Sequence, residues 1–131
     1  NGGYHGFSHH GNRDSHTSAL MKIEANMTTQ MAHLLDLLKA QPDPVNGGTL
    51  LDHTMVFFGC GMATGTHSTK NLPLLLAAGG FKHENTNINP EQDAPPEPAA
   101  NLLLSMLQNF GVEADRFGTS SGTLTGLERK S

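Results

Sequence analysis

Apolar residues recur at three- and four-residue steps after Asp14. Leu20, Ile23, Met27, Met31, Leu34 and Leu38 draw one stripe, and Lys22, Glu24, Gln30, Asp36 and Lys39 fall largely off it. This period predicts a long amphipathic helix over residues 14–41. Asp14 or Ser15 suits its N-cap, and Pro42 and Pro44 end it, because the position before a proline is pushed out of the α region. The methionines on the stripe read as core filler, and His33 as a partly exposed helix residue. The sequon Asn26-Met27-Thr28 carries little weight inside a helix.

A second pattern follows the turn Asn46-Gly47-Gly48. Residues 54–59 and 72–78 are short, nearly continuous apolar runs, which predict strands buried on both faces of a parallel sheet. Pro73 is tolerable near the start of the second. The first run opens into the glycine-rich stretch Gly59-Cys60-Gly61-Met62-Ala63-Thr64-Gly65-Thr66-His67. A loop at the carboxyl end of a buried strand is where open α/β sheets place their chemistry. Residues 81–98 are polar and proline-rich and predict a surface excursion, with a short hairpin near Lys82-His83. Residues 99–110 predict a second amphipathic helix with Leu103, Met106, Leu107 and Phe110 on one face and Gly111 at C′. The tail from Val112 to Ser131 is rich in Gly, Ser and Thr and predicts loose packing. The elements alternate as in an α/β fold. Two strands are too few to bury one another, so the chain reads as an incomplete α/β domain that docks on a missing N-terminal half or on another chain.

The start of the chain changes the picture from architecture to chemistry. Residues 5–10, HGFSHH, put three imidazoles and a hydroxyl into six positions. With Gly2, Gly3, Gly6 and Gly11 nearby, residues 1–13 predict a histidine-rich loop rather than a stable helix. His5 and His9 are four apart, so one local turn can aim both rings at a point. Neutral imidazole is the commonest metal ligand, although histidine pairs also occur on solvated loops. Composition narrows the partners. The chain has 131 residues, the size of one domain, and a net charge of −4 without a basic run, which argues against nucleic acid. No apolar run approaches the roughly 20 residues of a membrane helix, and no signal peptide opens the chain. The first residue is Asn, so the chain reads as processed or excerpted. A single cysteine, Cys60, excludes an internal disulfide, and the absence of CxxCH excludes c-type haem attachment.

Several segments together resemble a known bacterial family. They are Tyr4-His5-Gly6-Phe7-Ser8-His9-His10, Leu34-Leu35-Asp36-Leu37-Leu38, the run from Gly48 to Val56, Gly59-Cys60-Gly61-Met62, the run from Asn71 to Gly80, Asn101-Leu102-Leu103-Leu104 and Phe117-Gly118. In this order they resemble the carboxy-terminal portion of the HxxSHH family, named for that motif and of uncharacterised function. The resemblance implies a longer, exported protein with a periplasmic or extracellular location. A more distant similarity is to the alkaline phosphatase and sulfatase superfamily, which implies a mostly parallel sheet flanked by helices. On that comparison His5 and His9 fall on an Asp-xxx-His ligand pair and His67 on a later ligand histidine. The chain departs in two places: His5 replaces the acid, and Gly59-Cys60-Gly61-Met62 stands where an Asp-His pair is expected.

The resulting expectation is a metal site of His5, His9 and His67, with His10 or Cys60 as a fourth candidate. Such donors suit Zn²⁺ better than Mg²⁺ or Ca²⁺, which prefer oxygen. Ser8 is a candidate to fix an imidazole tautomer by a hydrogen bond, or a plain turn residue. Cys60 reads more readily as a buried, inert thiol than as a nucleophile. Asp52 and His53 read as structural, and His16 and His83 as surface residues. Two functions are expected: metal-dependent hydrolysis of phosphate or sulfate esters, intact or degenerate, as the superfamily resemblance implies, or a non-catalytic structural or partner-binding domain whose ancestral site has decayed.

Overall fold

The computed structural model describes residues 3–82 and 97–128. In chain order the elements are α1 (Tyr4–Ser8), α2 (Asp14–Ala40), a 3₁₀ turn (Leu50–His53), β1 (Met55–Gly59), β2 (Leu74–Ala78) and α3 (Ala99–Asn109). The chain divides into two compact units, Asn1–Asp52 with Val56–Ala77, and His53–Met55 with Ala78–Ser131. Most of the predicted surface excursion, His83 included, lies outside the described residues.

In the first unit the dominant element is α2, which starts at Asp14 with Arg13 at its N-cap and no side-chain cap bond. Past Pro42 the chain turns on Asp43, which is buried. Its carboxylate accepts the backbone N–H groups of Val45 at 2.8 Å and Asn46 at 3.1 Å, an Asx-type closure that fixes the turn. Asp52 accepts from the Thr49 N–H and hydroxyl at 2.8 and 2.7 Å and has the structural role expected of it. Leu20 is the only buried residue of α2. Met27 and Leu34, read as core positions, are 40% and 46% exposed. The apolar period set the helix correctly; too few elements lie against it to cover the whole stripe.

The expected mostly parallel sheet, like that of alkaline phosphatase, is not what forms. β1 and β2 make a two-stranded antiparallel sheet. Gly59, at the end of β1, lies so close to the start of β2 that an added β-carbon would meet the Pro73 carbonyl at 2.8 Å. The cause lies in the connection. A parallel pair needs a crossover, usually through a helix, and residues 60–73 hold no helix, so the chain doubles back. Nor are the strands buried on both faces: Phe57 and Leu75 remain 42% and 50% exposed. Continuous apolar runs do not report which face is covered; tertiary neighbours do.

The second unit centres on α3, with Leu104 and Phe81 fully buried and Leu102 nearly so. The helix ends in a Schellman motif: Val112 N–H donates to Leu107 O at 3.1 Å and Gly111 N–H to Gln108 O at 3.0 Å, with Gly111 at φ +83°. The tail, expected to pack loosely, is strapped by two buried polar groups of this helix, Asn101 and Ser105, and by the exposed Glu97 that precedes it. Ser121 N–H donates to Asn101 Oδ1 at 3.0 Å, Leu124 N–H to Ser105 Oγ at 2.9 Å and Thr125 N–H to Glu97 Oε2 at 3.3 Å. Asn101 and Ser105 are each 3% exposed. A Gly/Ser/Thr composition says nothing about such pairing, which depends on partners twenty residues away.

Hydrogen bonds from Thr125, and more weakly from Asn101, outweigh desolvation and hold the Glu97 carboxyl below its ordinary 4.5. A depressed carboxyl contributes stability above its unfolded pKa and loses it as pH falls through the folded value. The Thr125 amide resonance is therefore expected to titrate with a midpoint below 4.5 as the strap loosens. In Glu97→Gln that acid transition should vanish from the NMR titration.

Candidate metal centre

Residues 3–9 form a helical turn despite their glycines. Gly6 sits in α1 with open space around it, and its propensity cost, about 1 kcal/mol against alanine, is offset by packing of α1 on α2. Phe7 meets His16 edge to face at 5.3 Å between ring centroids. Tyr4 donates to Glu24 Oε1 at 3.5 Å. Partial burial, then the neighbouring Glu24 and Cys60, hold the Tyr4 hydroxyl above its ordinary pKa of 10.0. His16 is half-buried rather than a surface residue, and its Nδ1 is buried without a hydrogen-bond partner among the described residues.

This turn does what the four-residue spacing allows. The rings of His5 and His9 lie 4.8 Å apart, with planes at 79°. His9, at the C-cap of α1, also meets His67 at 4.9 Å and 89°. The third ring arrives on the loop after β1. That loop closes on itself through Ala63 N–H to Ser68 O at 2.7 Å and His67 N–H to Thr64 O at 3.0 Å, with the Thr64 and Thr66 hydroxyls 2.9 Å apart. His67 takes the left-handed conformation, φ +64°, which histidine adopts more readily than most residues but at a cost. Gly65 sits against the end of α1: an added β-carbon would run into the Ser8 carbonyl and lie 3.4 Å from His9 Cα. All three rings are exposed. Among the described residues, no three His, Cys, Asp or Glu side chains stand ready to hold a metal ion; the imidazoles touch edge to face instead.

The other candidates are engaged elsewhere. His10 Nδ1 accepts the Asn12 N–H at 3.0 Å, which places the ring proton of the neutral form on Nε2 and leaves no free donor lone pair. Cys60 is exposed rather than buried, and its thiol donates to Met62 O at 2.9 Å. Ser8 Oγ donates to the His5 carbonyl at 2.8 Å, a bond within the turn. Sequence reading missed Phe7, His16 and Gly65 as the residues that hold the three histidines together. The Phe7–His16 pair leaves no periodic trace, and Gly65 is one of many glycines.

Gly65→Ala tests this close approach. The added methyl group must push the loop from α1, and zinc affinity is expected to fall about tenfold, the equivalent of about 1.4 kcal/mol, with helix content unchanged by circular dichroism.

The chain matches no family model, no curated protein and no solved structure. No described helix is long and apolar enough to cross a membrane.

Proposed function

We propose that His5, His9 and His67 bind a divalent first-row cation, zinc foremost, and that the centre serves hydrolysis of phosphate or sulfate esters. The observation that supports this reading is the ring spacing. Two imidazoles on one tetrahedral zinc, with Zn–N distances of about 2.0–2.1 Å, have centroids about 5 Å apart. The spacings here are 4.8 and 4.9 Å. Chelation would require the rings to turn from these edge-to-face contacts toward one ion. His5, His9 and His67 would hold such an ion through three imidazole nitrogens and would leave room for a further donor. A bound zinc ion supplies Lewis acidity toward an ester oxygen and acidifies a bound water. The residues of the chain would hold the ion and keep its position accessible, since all three rings are exposed. The proposal includes an exported, periplasmic or extracellular protein of the HxxSHH type, and it does not depend on an alkaline phosphatase architecture.

The perpendicular ring planes favour a second reading. Imidazoles at these centroid distances and angles are also ordinary edge-to-face aromatic contacts, which join α1 to the loop without an ion. That is the non-catalytic, structural or partner-binding domain. Turnover of aryl phosphate and aryl sulfate esters by zinc-loaded, chelator-treated and His9→Ala protein separates the two. The proposal expects turnover with zinc alone. Tight zinc binding without turnover assigns this chain a structural metal site, and absence of zinc binding assigns it the aromatic contact.

A further inference from the structure

Two of the three proposed ligands ride on α1, a helix of five residues with no buried residue and no side-chain cap. Isolated helices of this length are unstable in water, so the geometry of His5 and His9 must be imposed from outside. The contacts that impose it are on α2. The Phe7 ring stands edge-on to His16, and Tyr4 reaches Glu24 only at the long limit of a hydrogen bond, 3.5 Å. Phe7 and His16 are therefore the stronger part of the seam. That part carries a defect: the buried Nδ1 of His16 has no partner among the described residues, and a buried polar atom left unpaired costs free energy.

We propose that Phe7 and His16 are positioning residues for the metal centre, so that the α1–α2 seam sets cation affinity. The unpartnered nitrogen of His16 keeps that affinity below what the same three ligands can reach. This rests on the metal-binding reading above. Its consequence is unusual for a histidine-rich region: removing one histidine should tighten binding. Leucine at position 16 fills a similar volume, presents no polar atom to the seam and stabilises docked α1. Alanine at position 7 removes the ring on which docking depends.

Cobalt(II) serves as the probe, with zinc as competitor, because its visible absorption reports ligand number and geometry. His16→Leu is expected to bind cobalt about threefold more tightly, from relief of part of the unpaired-group penalty, with the wild-type spectrum. Phe7→Ala is expected to bind about tenfold more weakly, with a weaker, more octahedral spectrum. Phe7→Tyr, which keeps the ring, should restore both. Weaker binding or an altered spectrum in His16→Leu would show that the unpartnered nitrogen does not limit affinity, and the proposal would be wrong. Unchanged affinity in both His16→Leu and Phe7→Ala would also overturn it, while leaving the metal centre intact. Failure of the wild-type chain to bind cobalt or zinc would instead remove the metal-binding reading, and this inference with it.

Discussion

His9→Ala is expected to lower zinc affinity by roughly a hundredfold or more, the largest loss of any single substitution in the cluster. A four-ligand structural zinc site is worth about 10–16 kcal/mol in small peptides, so one ligand carries about 3 kcal/mol, or about two decades in Kd. His9 should exceed the average because it is the shared member: its ring meets both His5 and His67. Losing His5 leaves the His9–His67 pair, and losing His67 leaves the His5–His9 pair, whereas losing His9 removes both observed contacts. His9 is exposed at the C-cap of α1, so the fold should tolerate alanine. Isothermal titration of zinc into the three single variants measures the ranking. Equal losses at all three positions would mean that His9 is not the bridge.

His67→Gly is expected to separate affinity from stability. In the proposed centre the side chain would supply a ligand, while its backbone is held at φ +64°. A β-carbon in the left-handed region costs about 1–2 kcal/mol, less for histidine than for most residues. Glycine removes this strain but adds freedom to the unfolded chain, worth about 0.4–1 kcal/mol in the other direction. The metal-free variant should thus be as stable as the parent or up to about 1 kcal/mol more stable. Its zinc affinity should nevertheless fall by roughly a hundredfold. Urea unfolding in the presence of chelator, beside the zinc titration, reads both quantities. A variant that loses stability and affinity together would show that the His67 ring holds the loop by packing rather than by ligating an ion.

The pattern of apolar positions identified α2 and α3, because both present periodic stripes bounded by proline or glycine signals. Pro42 lies just past the end of α2, and Gly111 closes α3 in its Schellman motif. The same pattern misjudged the strands. The continuous apolar runs 54–59 and 72–78 predict strands buried in a parallel sheet, yet the loop between the strands holds no helix for a crossover, and Phe57 and Leu75 stay exposed. The glycines of residues 1–13 argued against a helix there, and α1 forms nonetheless because its partners on α2 override local propensity. Of the candidate centre, the pairing of His9 with His67 came only from the superfamily resemblance, whereas the approach of His9 to His5 was legible from one four-residue spacing. The supports were not. His16 looked like a surface histidine, and the value of Gly65 depends on a carbonyl, that of Ser8, far away in the chain.

Zinc K-edge absorption on chain prepared without chelator and loaded with one equivalent of zinc bears most directly on the metal centre. The account predicts three imidazole ligands at about 2.0–2.1 Å and one further light atom, with the imidazole count falling to two in His67→Gly. A spectrum with one imidazole or none, or zinc lost on gel filtration, would contradict it.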